Sequence, residues 1–276
     1  MRRLALWGAA FLLVGTACVP PVENDKVLKF DPDLTVMGRI QKTGVMRVGI
    51  SEGPGPFSSG SGETAEGFTV ELAWEVARSL GVDLEILSGT DDEIAAMVSA
   101  GDVELAFPLV PITEKALSEH SFSDPYWVGH DKILAFDDSI ARAADLAGRT
   151  VCQSLEPVTS VPIGELAPGI EEILEVPDPV DCPEVDAIVA PDLRLLGVLD
   201  SGTLLDEGLT TAGYGAMVTL ENRIFATYVD EQILEAKDEG RWSEWFEAYV
   251  SPLTGEDPDP PAMVLEEAAA LWPAGG

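Results

Sequence analysis

Positive charge is scarce in this sequence. Lys and Arg number 16 against 49 Asp and Glu, a formal net charge of −33. Such a surface repels phosphate, so nucleic acid and anionic membrane surfaces are excluded as partners. The hydrophobic fraction is nonetheless 46%, which separates the chain from acidic disordered segments. The acids are spread along its whole length, a pattern that fits a solvated surface in a saline habitat or a preference for cationic ligands. Histidine is nearly missing: His120 and His130 are the two present. Neither sits in a Cys or carboxylate spacing that would hold a metal, so both read as surface histidines and no metal or cofactor is expected. There is no Gly-rich phosphate loop and no Gly-x-Ser-x-Gly.

Long apolar runs are also missing beyond the N-terminus. Arg2 and Arg3 precede the run Leu4 to Val14, which is shorter than the ~20 residues of a membrane-spanning helix. Gly15, Thr16 and Ala17 then lead to Cys18 and the stretch Val19-Pro20-Pro21. This resembles a bacterial lipoprotein signal, with Cys18 as the residue that carries the lipid, although Gly15 stands where Leu is usual. Simple secretion is the alternative. Three cysteines is an odd count for an oxidising compartment. With Cys18 assigned to lipid, Cys152 and Cys182 remain. Outside the cytoplasm a disulfide between them is permitted; two buried thiols are the other reading.

Residues 1–17 are therefore expected to be a signal peptide and 18–35 a polar, Pro-containing tether. Met46 to Ile50 reads as a strand, and Ser51 to Gly67 as a Gly/Ser-rich loop. Thr69 is placed to cap a helix with Leu72, Ala73, Val76, Ala77 and Leu80 on its apolar face, closed by Gly81. A strand at Val82 to Leu87, a helix at Asp91 to Ala100 and a strand at Val103 to Leu109 follow. The alternation predicts an α/β layer with helices on a mostly parallel sheet. It restarts after Lys132 to Phe136, with strands at Thr150 to Gln153, Ile173 to Val176, Ala187 to Ala190 and Tyr214 to Thr219. Helices at Glu221 to Glu239 and Trp242 to Tyr249 follow, and a short helical run at Ala262 to Trp272. Two blocks with a return to the first predict two lobes: 36–131, 132–219, a return at 220–250 and a tail at 251–276.

Particular segments carry a resemblance. Arg47-Val48-Gly49-Ile50, Pro56-Phe57 and Gly67-Phe68-Thr69-Val70-Glu71-Leu72-Ala73 open it. Ser99-Ala100-Gly101-Asp102-Val103-Glu104, Ile112-Thr113-Glu114-Lys115 and Phe122-Ser123-Asp124-Pro125-Tyr126 continue it. Leu146 to Cys152, Val185 to Val189, Tyr214-Gly215-Ala216 and Asp238 to Trp242 complete it. In this order, over about 36–250, they resemble the family 3 extracellular solute-binding proteins, the amino-acid receptors of ABC importers. The resemblance implies a periplasmic-binding-protein type II clamshell. The Cys152/Cys182 pair resembles one in relatives of the glutamate/glutamine-binding branch.

Binding an amino acid needs a cation and N–H donors for its carboxylate and an acid for its ammonium. By the resemblance, the carboxylate-binding Arg falls at Ala116, and flanking donors fall at Leu109 and Pro111, where proline has no N–H. The anion-binding turn of the second lobe reads Glu156-Pro157-Val158. The ammonium-binding Asp falls at Pro191, one residue before Asp192. Ser51, Glu52 and Pro54 lie on the loop that faces the cleft in the family, and Phe57 serves either cleft or core. Trp242 and Trp245 read as packing on the first lobe. The scaffold motifs are kept while the amino-acid contacts are lost, so the expected ligand is non-standard. Tight amino-acid binding would require another Arg, Arg194 or Arg149, in the cleft.

The leading expectation is a monomeric, lipid-anchored receptor outside the cytoplasm, handing a small solute to ABC permease subunits. A signalling or structural clamshell with no small ligand is the second. A dehydratase-like enzyme on the same fold is the third; it would need an acid/base in the cleft, for which Glu156 is the one candidate.

Overall fold

The computed structural model describes residues 27–52, 55–154, 163–176, 181–199 and 202–272. The signal segment, Cys18, Pro54 and the turn at Glu156 lie outside these residues.

The first lobe is built on α1 (Val36–Thr43), β1 (Val45–Ser51), α2 (Phe68–Leu80), β2 (Asp83–Gly89), α3 (Asp91–Ala100), β3 (Leu105–Phe107), α4 (Glu114–Glu119) and β4 (His120–Phe122). The hinge strand β5 (Trp127–Gly129) leads to β6 (Asp131–Ala135), β7 (Thr150–Ser154), α5 (Ile163–Leu166), β8 (Glu172–Val176), β9 (Ala187–Pro191), α6 (Asp192–Leu195) and β10 (Thr203–Leu204). The return path is β11 (Ala212–Tyr214), β12 (Met217–Thr219), α7 (Arg223–Asp238), α8 (Arg241–Tyr249), α9 (Ser251–Thr254) and α10 (Leu265–Ala270).

Two five-stranded sheets result, ordered β2-β1-β3-β12-β4 and β10-β6-β9-β7-β8. In the first, β1 is parallel to β2 and β3, while β12 is antiparallel to β3 and β4. In the second, β7 is parallel to β8 and β9, and β6 is antiparallel to β9 and β10. Each sheet thus joins a parallel core to an antiparallel edge, more mixed than the alternation alone predicted. The antiparallel hinge pair β5–β11 forms a sheet of its own between them. The expected strand Tyr214 to Thr219 is therefore two pieces: β11 in the hinge and β12 already back in the first sheet, before residue 220.

Local chemistry explains the elements. Thr90 caps α3, accepting from the Glu93 N–H at 3.3 Å, while Glu93 accepts from the Thr90 N–H at 2.9 Å. Gly101, at φ 76°, ends it in the left-handed conformation that glycine adopts without penalty. Thr69 does not cap α2. It lies inside the helix, and its hydroxyl donates to the Phe57 carbonyl at 2.7 Å, tying the loop to the helix start. Residues 28–35, expected to be tether, dock on the first lobe instead. Gln41 Nε2 donates to the carbonyls of Leu28 and Leu80, and Phe30 sits edge-on to Tyr228 at 5.5 Å.

Cys152 and Cys182 are bonded, with Cα atoms 6.0 Å apart and a sequence separation of 30. In the chain-entropy account a loop of this size stabilises by about 3–4 kcal/mol. Trp242 and Trp245 are buried in the large cluster of the first lobe. The tail crosses the hinge: Lys237 Nζ donates to the Pro261 carbonyl at 2.8 Å, Leu265 N–H to Asp124 Oδ1 at 2.8 Å, and Trp272 Nε1 to the Thr211 carbonyl at 3.2 Å. Among the described residues, no helix is long and apolar enough to cross a membrane.

Candidate functional site

In open α/β sheets the crevice for ligands lies beyond the carboxyl ends of the parallel strands. Three such ends meet in the first lobe. Ser51 closes β1, Asp91 starts α3 just after β2, and Leu109 follows β3. The Leu109 N–H donates to Asp91 Oδ1 at 2.8 Å and approaches Ser51 Oγ at 3.2 Å. The Ser51 hydroxyl donates to the same Asp91 oxygen. From the other lobe, α6 begins directly at the carboxyl end of β9 and projects Arg194, whose Nη2 pairs with Asp91 Oδ2. A half-buried ion pair thus joins the lobes, its two side chains 12% and 18% exposed.

Apolar residues close the crevice around that pair. Leu193 and Leu196 of the second lobe belong to the same buried cluster as Phe57, Leu109 and Trp127 of the first lobe and hinge. Phe57 packs edge-on against Trp127 at 4.9 Å. Backbones also meet: a methyl group built on Gly55, whose φ is 122°, would stand 3.4 Å from the Gly197 nitrogen. Beside Ser51 a small cavity of about 300 Å³ is lined by Ser58, Ser59, Ser61 and Ser88 and by the acid Glu52.

The residues chosen from sequence divide into two groups. Ser51, Leu109 and Phe57 converge on the crevice. Ala116, Pro111 and Asp192 do not join them. Ala116 donates its N–H to the capping Thr113 hydroxyl at 3.0 Å and packs on a separate cluster that holds Ile94, Phe122 and Ala268. Pro111 is half-buried on the following loop, next to Ile112, whose N–H donates to the hinge residue Gly213. Asp192 turns towards the hinge, accepting from the N–H groups of His130 at 3.0 Å and Leu193 at 2.7 Å. Burial raises its pKa to about 6 against these favourable hydrogen bonds. It lines a cavity of about 550 Å³ under the tail, not the crevice. Arg149 is also elsewhere, paired with Asp137 at 2.9 Å and Asp186 at 3.6 Å. Asp91 and Arg194 are what the sequence reading missed as a pair. Asp91 signalled only a helix start, and Arg194 lies on a four-residue helix with no periodicity.

Beside the hinge, Asp131 is buried at 1% exposure, with the Thr210 hydroxyl near its carboxylate. Desolvation raises its pKa to about 7, the Thr210 hydroxyl offsetting part of the effect and the Asp192 carboxylate adding to it. The buried Tyr214 hydroxyl is without a partner among the described residues, and burial raises its pKa well above the usual value.

A sequence model of the bacterial extracellular solute-binding proteins, family 3, matches residues 46–252. The L-cystine-binding protein TcyJ of Escherichia coli (strain K12) is 23% identical over 87% of this chain and 96% of its own. An ancestral cationic amino acid solute-binding protein, AncCDT-1, has a similar fold, with a TM-score of 0.67 at 22% identity over 78% of this chain and 99% of that one. The arginine-binding protein ArgBP of T. maritima, in a mutant form, gives 0.63 at 24% identity over 80% and 99%.

Proposed function

From a chain that belongs to the family 3 bacterial extracellular solute-binding proteins, we propose a lipid-anchored receptor that hands a small solute other than an ordinary L-α-amino acid to ABC permease subunits. One observation carries the change of ligand. The guanidinium that reaches the crevice, Arg194, is committed to the chain's own Asp91, and the position of the family Arg holds Ala116 on another face of the lobe. An amino-acid carboxylate entering here would have to displace Asp91 or be desolvated without a partner, which is strongly unfavourable.

The relatives' names point to binding rather than catalysis: TcyJ is named for L-cystine and ArgBP for arginine. Calorimetric titration of the wild-type protein with the common amino acids at moderate salt is the test. Weak or absent binding is expected. Micromolar affinity for glutamate, glutamine or aspartate, which needs about −8 kcal/mol, would overturn the reading.

The second reading is a clamshell with no small ligand, serving signalling or assembly. The packing of Leu193 and Leu196 into the first lobe's cluster favours it, because the two lobes meet through their own apolar side chains. The anchor has its own test. Cys18→Ala is expected to move the protein from the membrane fraction to the soluble one, since a covalent lipid supplies about 0.8 kcal/mol per buried methylene. Unchanged membrane retention would rule out lipid at Cys18.

A further inference from the structure

We infer that the cavity of about 550 Å³ between the hinge and the tail binds a small organic ammonium ion that also carries a hydroxyl, an amino alcohol in its simplest form. The site lies outside the crevice, and its assignment does not rest on what the crevice takes. Part of its wall comes from residues beyond 252, where the family match ends.

The outer wall is built by the tail. The run Glu256-Asp257-Pro258-Asp259-Pro260-Pro261 alternates acids with prolines, which hold the chain extended and leave it little freedom to lose on binding. Lys237 pins this run to the hinge, its Nζ donating to the carbonyls of Pro125 at 3.0 Å and Pro261 at 2.8 Å. Glu256, Asp257 and Asp259 thereby stand exposed on the rim, with Asp206 of the second lobe on the same cavity. Lys132 pairs with Glu256 at 3.5 Å. The other three rim carboxylates have no ion pair among the described residues. Together they favour entry of a cation.

Acids on a rim do not by themselves make a site; the inner end supplies what is missing. Trp127 lines the cavity and is 7% exposed, yet its indole N–H finds no acceptor among the described residues. A donor left dry and unpaired is costly, and a ligand that offers an acceptor removes the cost. Asp192 Oδ1 stands on the other side of Gly129. A methyl group built on Gly129 would lie 3.2 Å from the indole nitrogen and 2.6 Å from that oxygen. The backbone at Gly129 is ordinary strand and has no positive φ, so the missing side chain serves the space rather than the turn. It keeps a notch open between a donor and a buried carboxylate. Each Asp192 oxygen accepts one backbone N–H, from His130 and Leu193, and keeps lone pairs for a cation. A bare metal ion does not match this set. It offers the indole N–H no acceptor, and among the described residues no three His, Cys, Asp or Glu side chains are grouped to hold one. A hydroxyl that accepts from Trp127, two carbons from an ammonium that donates to carboxylates, satisfies both sides of the notch. Trp242 and Phe246 give the carbon skeleton an apolar wall. Because the walls come from α8, the hinge, the second lobe and the tail, the occupant ties the tail to the second lobe.

The test is thermal unfolding of the wild-type protein near neutral pH in the chloride salts of ethanolamine, propylamine or potassium, at matched ionic strength. Propylamine has the size of ethanolamine without its hydroxyl. Ethanolamine is expected to raise the midpoint most, propylamine less and potassium least. At ten times its dissociation constant, ethanolamine should raise the folded-to-unfolded ratio about eleven-fold. Trp127→Phe keeps a ring in the aromatic stack and removes the N–H. It should abolish the lead of ethanolamine over propylamine and spare the lead of propylamine over potassium. Asp257→Asn/Asp259→Asn, on the exposed tail, should weaken both amines several-fold. That variant decides alone if Trp127→Phe does not fold. Equal midpoints in the three salts would overturn the inference. So would an ethanolamine lead that survives in Trp127→Phe, or amine affinities unchanged in the tail variant.

Discussion

Raising the pH from about 5 to about 8 is expected to destabilise the folded protein by several kcal/mol, through carboxyl groups that the fold buries near the hinge and tail. Asp131 is raised to about 7 and Asp192 to about 6, each chiefly by burial. Asp230, beside Asp124 and under the tail, is raised to about 7 by burial, against the Asp124 N–H and Lys237. An unfolded Asp titrates near 3.9. Between that value and the folded one, the native state holds more protons than the unfolded state, so stability falls as pH rises. The stabilisation is fully present below about pH 4 and is lost through about pH 6–7. A tenfold difference in proton affinity between the two states is worth about 1.4 kcal/mol, so Asp131 should cost up to about 3 kcal/mol across the interval and Asp192 about 1, while the half-exposed Asp230, screened by solvent, adds less than Asp131. At about 2–4 °C per kcal/mol for a domain of this size, the melting temperature should drop by about ten degrees or more. Thermal unfolding from pH 5 to 8 at fixed, moderate salt measures it. Asp131→Asn should flatten the slope and raise the midpoint at pH 8. A slope unchanged in that variant would show that Asp131 ionises without cost.

The elements legible in the sequence were those with long periodic faces or firm stops. The helix Asp91–Ala100 was readable at both ends because Gly101 ends it and Ile94 and Val98 share a buried face. The strands β1, β7, β8 and β9 were found within a residue or two, since each is a short apolar run between turn residues. The strands β4 and β5 have three residues each, too few to show alternation, and β11 and β12 were expected as one strand, Tyr214 to Thr219, so the hinge pair was invisible. The candidate site was legible only in part, for a similar reason. Ser51 could be placed by position after a strand, and Leu109 through the resemblance. The Asp91–Arg194 pair joins residues 103 apart through the meeting of two lobes. No local pattern encodes such a contact, and the resemblance pointed to Ala116 and Asp192, which the fold turns towards a satellite core and the hinge.

Trp242→Ala is expected to remove about 4–6 kcal/mol of stability, a large share of the roughly 5–15 kcal/mol typical of a folded domain. Trp242 is 1% exposed. It stacks with Phe246 one turn along α8 at 5.3 Å and with Trp127 of the hinge at 6.1 Å, and meets Phe68 edge-on at 5.3 Å. Its indole N–H donates to the Tyr126 carbonyl at 2.9 Å, next to the first hinge strand. Truncating a buried Trp costs about 3–5 kcal/mol through lost burial and the cavity left behind. The orphaned Tyr126 carbonyl adds about 1 kcal/mol or more. Trp242→Phe should fall between, keeping the stack and losing the hydrogen bond. Trp74 provides the control: it is 37% exposed on α2 with Arg78 over its ring at 6.0 Å, and Trp74→Ala should cost under about 1 kcal/mol. Urea unfolding followed by circular dichroism compares the midpoints, provided the slopes agree. Because Trp127 is the first residue of the strand that leads into the second lobe, the loss should also loosen the lobes, giving a larger radius of gyration in Trp242→Ala than in wild type by small-angle scattering. Equal costs for Trp242→Ala and Trp74→Ala would mean that the aromatic stack does not hold the hinge.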